Sequence, residues 1–151
     1  MIAVEHLSYA YPLTASIRRT REARPSIARM DHLGWVFDRH PTLKVVSLEL
    51  GAGWVPYLQR RLRIAYGKSP QLFGRDPIEA LRDHVWVAPF YEDDITAVRD
   101  AMSADRIVLG SDWPHPEGLS EPRAWLSDFE PFTIDERRKV FRDNLKALSG
   151  R

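Results

Sequence analysis

The stretch DRIVLGSDWPHPEG, residues 105–118, joins a short apolar run to the densest group of chemically active side chains in the chain. Residues 106–109 are mostly apolar and β-branched, which is typical of parallel strands buried on both faces. Asp112 therefore comes at or just after the carboxyl end of a strand, where ligands bind in α/β sheets and barrels. Asp, Pro and Gly are also ordinary turn residues, so the stretch alone fits either a catalytic strand end or a tight turn.

The rest of the chain alternates between strand and helix patterns without hairpin signals. The pattern predicts strands over 2–4, 43–50, 85–90 and 106–109. It predicts helices over 25–39, 54–66, 78–83, 95–102 and 121–129, and a final helix that opens with a capping box at 133–136. One face of that final helix carries Ile134, Phe141, Leu145 and Leu148, and Gly150 follows its end. This order favours a parallel α/β fold with about four strands.

Composition excludes several classes of protein. The chain has 151 residues, a net charge of +1 and 44% hydrophobic residues, so it can bury the core of one domain spanning 1–151. It contains no cysteine, which excludes disulfides, thiolate nucleophiles and cysteine-bound zinc. The basic clusters are short, so nucleic acid is not an expected partner. No run approaches the roughly 18 apolar residues of a membrane span and no secretory signal is present, so we expect no membrane contact and a cytoplasmic location.

A second carboxylate is predicted at the same sheet edge as Asp112. Side chains alternate along the predicted strand 43–50, so Val45, Ser47 and Glu49 share one face while Val46, Leu48 and Leu50 form an apolar face suited to packing on helices. Two carboxylates at one edge repel each other unless a cation or a proton compensates them. Glu49 could equally be a partly exposed strand-end residue paired with an arginine.

Four segments resemble one known family, in its order and spacing: HLGWVFDRHPTLKVVSLELGAGWVPYLQRRL, HVWVAPFYEDD, DRIVLGSDWPHPEG and FRDNLKALSG. They are similar to the C-terminal half of the amidohydrolase-related (amidohydrolase 2) metal-dependent hydrolases, which include the aminocarboxymuconate semialdehyde decarboxylase-like enzymes. The resemblance covers residues 25–150, and residues 1–24 match less of the pattern. It implies the C-terminal half of a (β/α)8 TIM barrel with a divalent metal, zinc being the first expectation. It also implies hydrolysis or nonoxidative decarboxylation of a small organic acid.

The resemblance also implies site residues. Asp112 matches the aspartate that ends the last barrel strand, where it looks like a metal ligand that also takes the proton of metal-bound water. His6 and Glu49 lie where the family places other metal ligands, although Glu49 replaces the histidine of a His-Gly-Gly strand end. His115 and Glu117 match a PHPEG extension that shapes the pocket in one branch, and together with Trp113 they are expected to contact substrate.

The sequence is expected to contain only the second half of such a barrel. A barrel of this kind takes about 250 residues, and no two of the five histidines have the His-x-His spacing of the family's first strand. His32, His40 and His84 fall at positions unsuited to metal binding, so the chain alone is expected to have little or no activity and to lack a full set of ligands. One interpretation is a truncated or split enzyme. Another is an inert half-barrel that folds only as a homo-oligomer or by pairing with an N-terminal half. A third interpretation is a small flavodoxin-like sheet. The sequence has no phosphate-binding glycine loop after the first predicted strand, which argues against it.

Overall fold

The computed structural model describes residues 36–111, 115 and 118–150, which form a helix-rich fold with a small parallel sheet. The strands and α-helices are β1 (Val45–Ser47), α1 (Trp54–Lys68), α2 (Pro77–His84), β2 (Val85–Val87), α3 (Ile95–Met102), α4 (Ile134–Arg138) and α5 (Asn144–Ser149). Short 3-10 helices occupy Pro70–Leu72, Ala104–Arg106 and Pro122–Phe129, and the segment Lys139–Asp143 is π-helical. Residues 36–39 are also helical. The predicted alternation of strands and helices is present in these residues.

The strands are shorter than the sequence predicts. β1 pairs with β2, and a single parallel bridge joins Val87 to Ile107. β2 ends soon after Val87 because Pro89 has no N–H group to continue the ladder. The strand predicted over 106–109 is reduced to the bridge at Ile107, since the residues just before it form the 3-10 helix Ala104–Arg106. The strand predicted at 2–4 lies outside the described residues.

The prediction for residues 48–50 is wrong. β1 stops at Ser47, and Leu48 and Leu50 are 47% and 62% exposed instead of packing on helices. The cause is a turn: Glu49 has φ of 57°, in the left-handed region that residues with a Cβ rarely adopt. Glu49 is therefore an exposed loop residue and does not end a strand.

The described residues divide into two compact units. The first unit contains residues 36–46 and 59–85, and the second contains 47–58, 86–111, 115 and 118–150. Buried apolar side chains of the first unit include Phe37, Val46, Leu62, Ile78, Leu81 and Val85. Those of the second unit include Val55, Val87, Val98, Met102, Ile107, Phe129 and Val140. Each unit thus has a core of its own.

Helices α2 and α3 begin at aspartate caps. Oδ1 of Asp76 accepts a hydrogen bond of 2.7 Å from the N–H of Ile78, and Pro77 occupies the first helical position. Oδ1 of Asp94 accepts one of 2.9 Å from the N–H of Ala97. These side chains satisfy donors that a helix start leaves without backbone partners. The helices predicted over 54–66, 78–83 and 95–102 are confirmed.

The predicted capping box is present at the start of α4. The N–H of Thr133 donates to Oε2 of Glu136 at 2.8 Å, and the N–H of Glu136 donates back to Oγ1 of Thr133 at 3.3 Å. Gly150 ends α5 in the left-handed conformation, with φ of 70°. Both ends of the final helical segment therefore follow the prediction.

The predicted buried face of that segment is wrong in part. Leu148 is buried, but Ile134 is 83% and Leu145 is 52% exposed. The π-helical segment Lys139–Asp143 shifts the residues that follow it around the axis. As a result Val140, Asn144 and Leu148 form the buried row. Nδ2 of Asn144 donates hydrogen bonds of 2.7 Å to the carbonyls of Ala104 and Ile107.

Among the helices that the structure describes, none is long and apolar enough to cross a membrane.

Candidate active site

Three chain segments of the second unit run side by side in the same direction and end at one edge. The N–H of Ala88 donates to the carbonyl of Ser47 at 3.0 Å, and the N–H of Val108 donates to the carbonyl of Val87 at 3.0 Å. The segments are therefore ordered along the sheet as they are along the chain. Residues 48–53 and 88–94 form the first and second loops that leave this edge, and the described residues 108–111, 115 and 118–120 belong to the third. In parallel α/β folds the carboxyl ends of the strands are where ligands bind.

Asp93, which sequence reasoning missed, connects two of these loops. Its Oδ2 accepts hydrogen bonds from the N–H groups of Ala52 at 2.7 Å and Phe90 at 2.8 Å, and its Oδ1 accepts one from Gly53 at 2.9 Å. Asp93 directly precedes the helix cap Asp94, so the pair resembles an ordinary acidic helix start. The sequence signal that could have indicated its role was the acidic residue Asp93 next to the cap Asp94, together with the glycines of GAG, residues 51–53.

A pocket of about 130 Å³ lies between the second and third loops. Its lining residues are Pro89, Phe90, Tyr91, Glu92, Gly110, Ser111, Gly118, Leu119, Pro122 and Trp125. Most of them are apolar or aromatic, as is usual for small-molecule sites. The pocket has nearly the volume of the roughly 150 Å³ apolar cavity that accepts benzene in an engineered protein. It is the right size for one aromatic ring.

Polar groups at the pocket wall are few. A hydrogen bond and the negative charge of Glu92 both raise the pKa of the Tyr91 phenol above its ordinary value, so this phenol remains protonated at neutral pH. Nε1 of Trp125 is buried and has no hydrogen-bond partner within the described part of the chain. A buried donor without an acceptor costs about 1–3 kcal/mol.

The predicted site residues are only partly placed. Asp112, Trp113, Glu117 and His6 lie outside the described residues. His115 is exposed, and its carbonyl accepts a 3.0 Å hydrogen bond from the N–H of Gly118. Glu49 is on the first loop and is not among the residues that line the pocket. The structure nevertheless brings both flanks of 112–117 to the pocket, since Gly110, Ser111, Gly118 and Leu119 line it.

His84 is held by packing and hydrogen bonding within the first unit. It is the last residue of α2, directly before β2. The side chain is 5% exposed, its Nδ1 lies 2.7 Å from the carbonyl of Leu43, and its ring stacks on Phe37 at a centroid distance of 4.4 Å. A carbonyl can only accept, so Nδ1 is the protonated ring nitrogen. His40 is exposed.

A divalent ion does not fit the described residues by themselves. Within residues 36–111, 115 and 118–150, no group of three His, Asp or Glu side chains is arranged to hold a metal. Zinc sites take three or four such ligands, and Glu49 is the one described member of the predicted ligand set.

Comparison with known proteins identifies relatives. The family model described as Amidohydrolase matches residues 23–148. An amidohydrolase from Mycobacterium avium subsp. paratuberculosis K-10 is 43% identical to this chain, covers 81% of it with 32% of its own length, and has a TM-score of 0.71.

Two decarboxylases have similar structures. A dihydroxybenzoic acid decarboxylase from Polaromonas sp. JS666, solved with bound manganese and the inhibitor 2-nitroresorcinol, is 22% identical with a TM-score of 0.60, over 81% of this chain and 38% of its own. The 5-carboxyvanillate decarboxylase from Sphingomonas paucimobilis is 20% identical with a TM-score of 0.61, over 80% of this chain and 37% of its own. The chain thus spans about a third of the length of the solved structures that it matches.

Proposed function

Because this chain belongs to the amidohydrolase family, we propose that it supplies the carboxyl-terminal part of a metal-dependent enzyme that hydrolyses or decarboxylates a small organic acid. One observation carries this proposal. Both flanks of the sequence 112–117 line a pocket at the carboxyl edge of parallel segments. That is the position of a substrate site in an α/β barrel.

The fold we propose for the complete enzyme is a (β/α)8 barrel, of which this chain forms the C-terminal half. The order of the segments supports it, because Ser47, Val87 and Ile107 neighbour one another in chain order, as consecutive barrel strands do. A flavodoxin-like sheet reverses its strand order near the first strand. The matches to amidohydrolase structures over a third of their length also favour the barrel.

Asp112 is the residue to which we assign the chemistry. It would bind a divalent ion and hold the proton of the attacking water, and Glu49 and His6 would be further ligands from this chain. Bound there, a divalent ion would lower the pKa of water toward neutrality and polarise a substrate oxygen. The remaining ligands would come from an N-terminal half-barrel, so this chain by itself would be inactive.

The substrate class that we propose is a small aromatic acid. The pocket has room for one ring, and Phe90, Tyr91 and Trp125 offer aromatic contacts. Two of the structurally similar proteins act on aromatic acids, as their names state. Trp113, His115 and Glu117 would close the pocket and contact the substrate, because they connect the two flanks that line it.

A chimera tests this proposal. Residues 30–150 would replace the matching third of the Mycobacterium amidohydrolase, and metal content and turnover of 2,6-dihydroxybenzoate and simple amides would be measured. We expect a folded chimera with about one equivalent of metal and measurable turnover, whereas the isolated chain should show neither. A folded chimera that binds no metal would contradict the proposal.

Two variants of the chimera test the assignment of Asp112. Asp112→Asn keeps the shape of the side chain but cannot accept a proton, so turnover should fall at least about 100-fold, the typical contribution of a general base. Asp128→Asn, an exposed position on the helix Pro122–Phe129, is the matched control and should retain wild-type turnover. Full activity in Asp112→Asn would show that the assignment is wrong.

A further inference from the structure

We infer that Asp93 is a positioning residue, whose carboxylate holds the loop after β1 and the loop after β2 in one fixed arrangement. Three N–H groups converge on it within 2.9 Å. Two of them, those of Ala52 and Gly53, lie 41 and 40 residues away in sequence, and the third belongs to Phe90 on the loop of Asp93 itself. The carboxylate is therefore a tertiary connection between neighbouring loops of the second unit.

The first loop is shaped to receive this carboxylate. A Cβ atom at Gly51 would lie 3.0 Å from Oδ2 of Asp93 and 3.0 Å from the ring of Phe90, and one at Gly53 would lie 2.8 Å from Oδ1. Gly51 also has φ of 58°, which glycine adopts without strain. The indole of Trp54 closes the same turn by donating to the carbonyl of Gly51 at 3.0 Å. The sequence GAGW, residues 51–54, thus forms a receptor for an acidic side chain.

The neighbouring Asp94 shows that helix capping does not account for Asp93. Asp94 accepts from Ala97, three residues ahead, and so satisfies the start of α3. Asp93 makes no contact of that kind and is oriented toward the other loop. Hydrogen bonds to a charged acceptor are about twice as strong as those between neutral groups. Three of them on one carboxylate therefore restrict the conformational freedom of the two loops that they join.

Two parts of the candidate site depend on this connection. Phe90 lines the pocket, and its N–H and ring both contact the carboxylate or the glycines that receive it. Glu49 lies two residues before Gly51, in a left-handed turn whose far end is fixed by Ala52 and Gly53. Asp93 therefore positions one pocket wall and one candidate metal ligand. The effect on a bound molecule rests on the proposed function, but the loop connection does not.

Backbone amide hydrogen exchange in the isolated chain tests the connection, with Asp93→Asn and Asp94→Asn as matched variants. An asparagine at 93 keeps the shape but presents its own N–H2 group to donors. The amides of Ala52 and Gly53 should then exchange at least about tenfold faster, as expected for the loss of one charge-assisted hydrogen bond, and the indole N–H resonance of Trp54 should shift. Asp94→Asn should accelerate amide exchange at Ala97, and it should leave the exchange rates of Ala52 and Gly53 as in the wild type.

The wild-type chain provides a measurement that does not depend on how a variant folds. Scalar couplings across hydrogen bonds should be detectable from the amide nitrogens of Ala52, Gly53 and Phe90 to the carboxyl carbon of Asp93. Their absence, or unchanged exchange of Ala52 and Gly53 in Asp93→Asn, would overturn the inference. The same would follow if Asp94→Asn accelerated those two amides equally.

Binding of benzoate separates this inference from the proposed function. If the pocket takes aromatic acids, Asp93→Asn should weaken benzoate binding, observed as resonance shifts of Tyr91 and Leu119, at least fivefold, while Asp94→Asn should not. If the wild-type chain fails to bind benzoate, the pocket of the isolated chain does not take an aromatic acid, and the exchange data still decide the role of Asp93. Binding that is equally strong in both variants would show that Asp93 does not position the pocket wall.

Discussion

Gly51 and Gly53 border the carboxylate of Asp93 so closely that a methyl group at either position would meet an oxygen atom at 3.0 Å or less. Gly67, near the end of α1, has no atom within 4 Å of the corresponding position. Glycine therefore occurs at positions 51 and 53 for a different reason than at position 67. At 51 and 53 the reason is a contact made by a residue about 40 positions away, and sequence patterns cannot show it.

Replacing these glycines by alanine should have opposite effects on stability. Gly53→Ala should lower the free energy of unfolding by about 1–3 kcal/mol, the usual cost of inserting a methyl group where packing is tight. Gly67→Ala should raise it by about 0.5–1 kcal/mol, because alanine is the better residue in a helix. Urea unfolding of the two variants at pH 7 measures both changes. Equal changes of the same sign would mean that Gly53 is not in contact with Asp93.

At the scale of elements, the final helical segment shows what local signals can and cannot predict. The capping box at Thr133 and the left-handed Gly150 are encoded within a few residues, and both are present as predicted. The predicted buried face was wrong in part: Ile134, which precedes the π-helical segment Lys139–Asp143, and Leu145, which follows it, are both exposed. Asn144 lies just after that segment and donates to two carbonyls of another part of the chain. The register thus depends on tertiary hydrogen bonds.

The capping box should make the stability of α4 dependent on pH. The backbone and hydroxyl of Thr133 hydrogen-bond to Glu136 and hold the pKa of this carboxyl below its ordinary value of 4.5. A carboxyl with a lowered pKa stabilises the folded chain at pH values above 4.5, and this contribution is lost as the pH falls through the lower folded value. Glu136→Gln should therefore destabilise the chain at pH 7, by a few tenths of a kcal/mol for an exposed group, and much less at pH 3.

Urea unfolding of wild type and Glu136→Gln at both pH values measures this difference. Glu130→Gln is the control, because Glu130 is also exposed but lies outside the capping box. It should have little effect at either pH. A Glu136→Gln effect that is the same at pH 3 and pH 7 would show that the ionised carboxylate does not contribute to the cap.

At the scale of the whole chain, the sequence predicted the order of elements but not the length of the strands. Apolar periodicity and turn residues determine where helices and strands alternate, and the order β1, α1, α2, β2, α3 follows them. Strand length depends on neighbouring strands, which supply hydrogen bonds and cover apolar faces. Within the described ranges β1 pairs with β2 alone, and it ends at Ser47, before the turn at Glu49 that leaves Leu48 and Leu50 exposed.

The candidate site was predictable to a similar extent. The stretch 105–118 indicated a strand-end loop, because a strand followed by Gly, Asp and Pro has that meaning whatever its partners are, and Gly110, Ser111, Gly118 and Leu119 of that stretch line the pocket. Asp93 was not predictable, since its role depends on which loop lies beside it. Glu49 was placed on a strand because alternation alone cannot show a left-handed turn.

In the part of the chain that the structure describes, one edge of β1 carries no strand, which predicts self-association of the isolated chain. Such an edge, followed by the exposed Leu48 and Leu50, can pair with the same edge of a second copy. We expect the weight-average mass in sedimentation velocity to rise with concentration between about 5 and 200 µM, the range in which weak edge pairing populates dimers. Leu48→Lys with Leu50→Lys should suppress this rise at least tenfold, because charges on an edge oppose pairing.

Ile134→Lys, at a position that is 83% exposed on α4, is the matched control and should associate as wild type does. If the wild type remains monomeric throughout, or if Ile134→Lys acts as strongly as the double variant, the β1 edge is not the site of association. The half-barrel proposal would then require another partner surface.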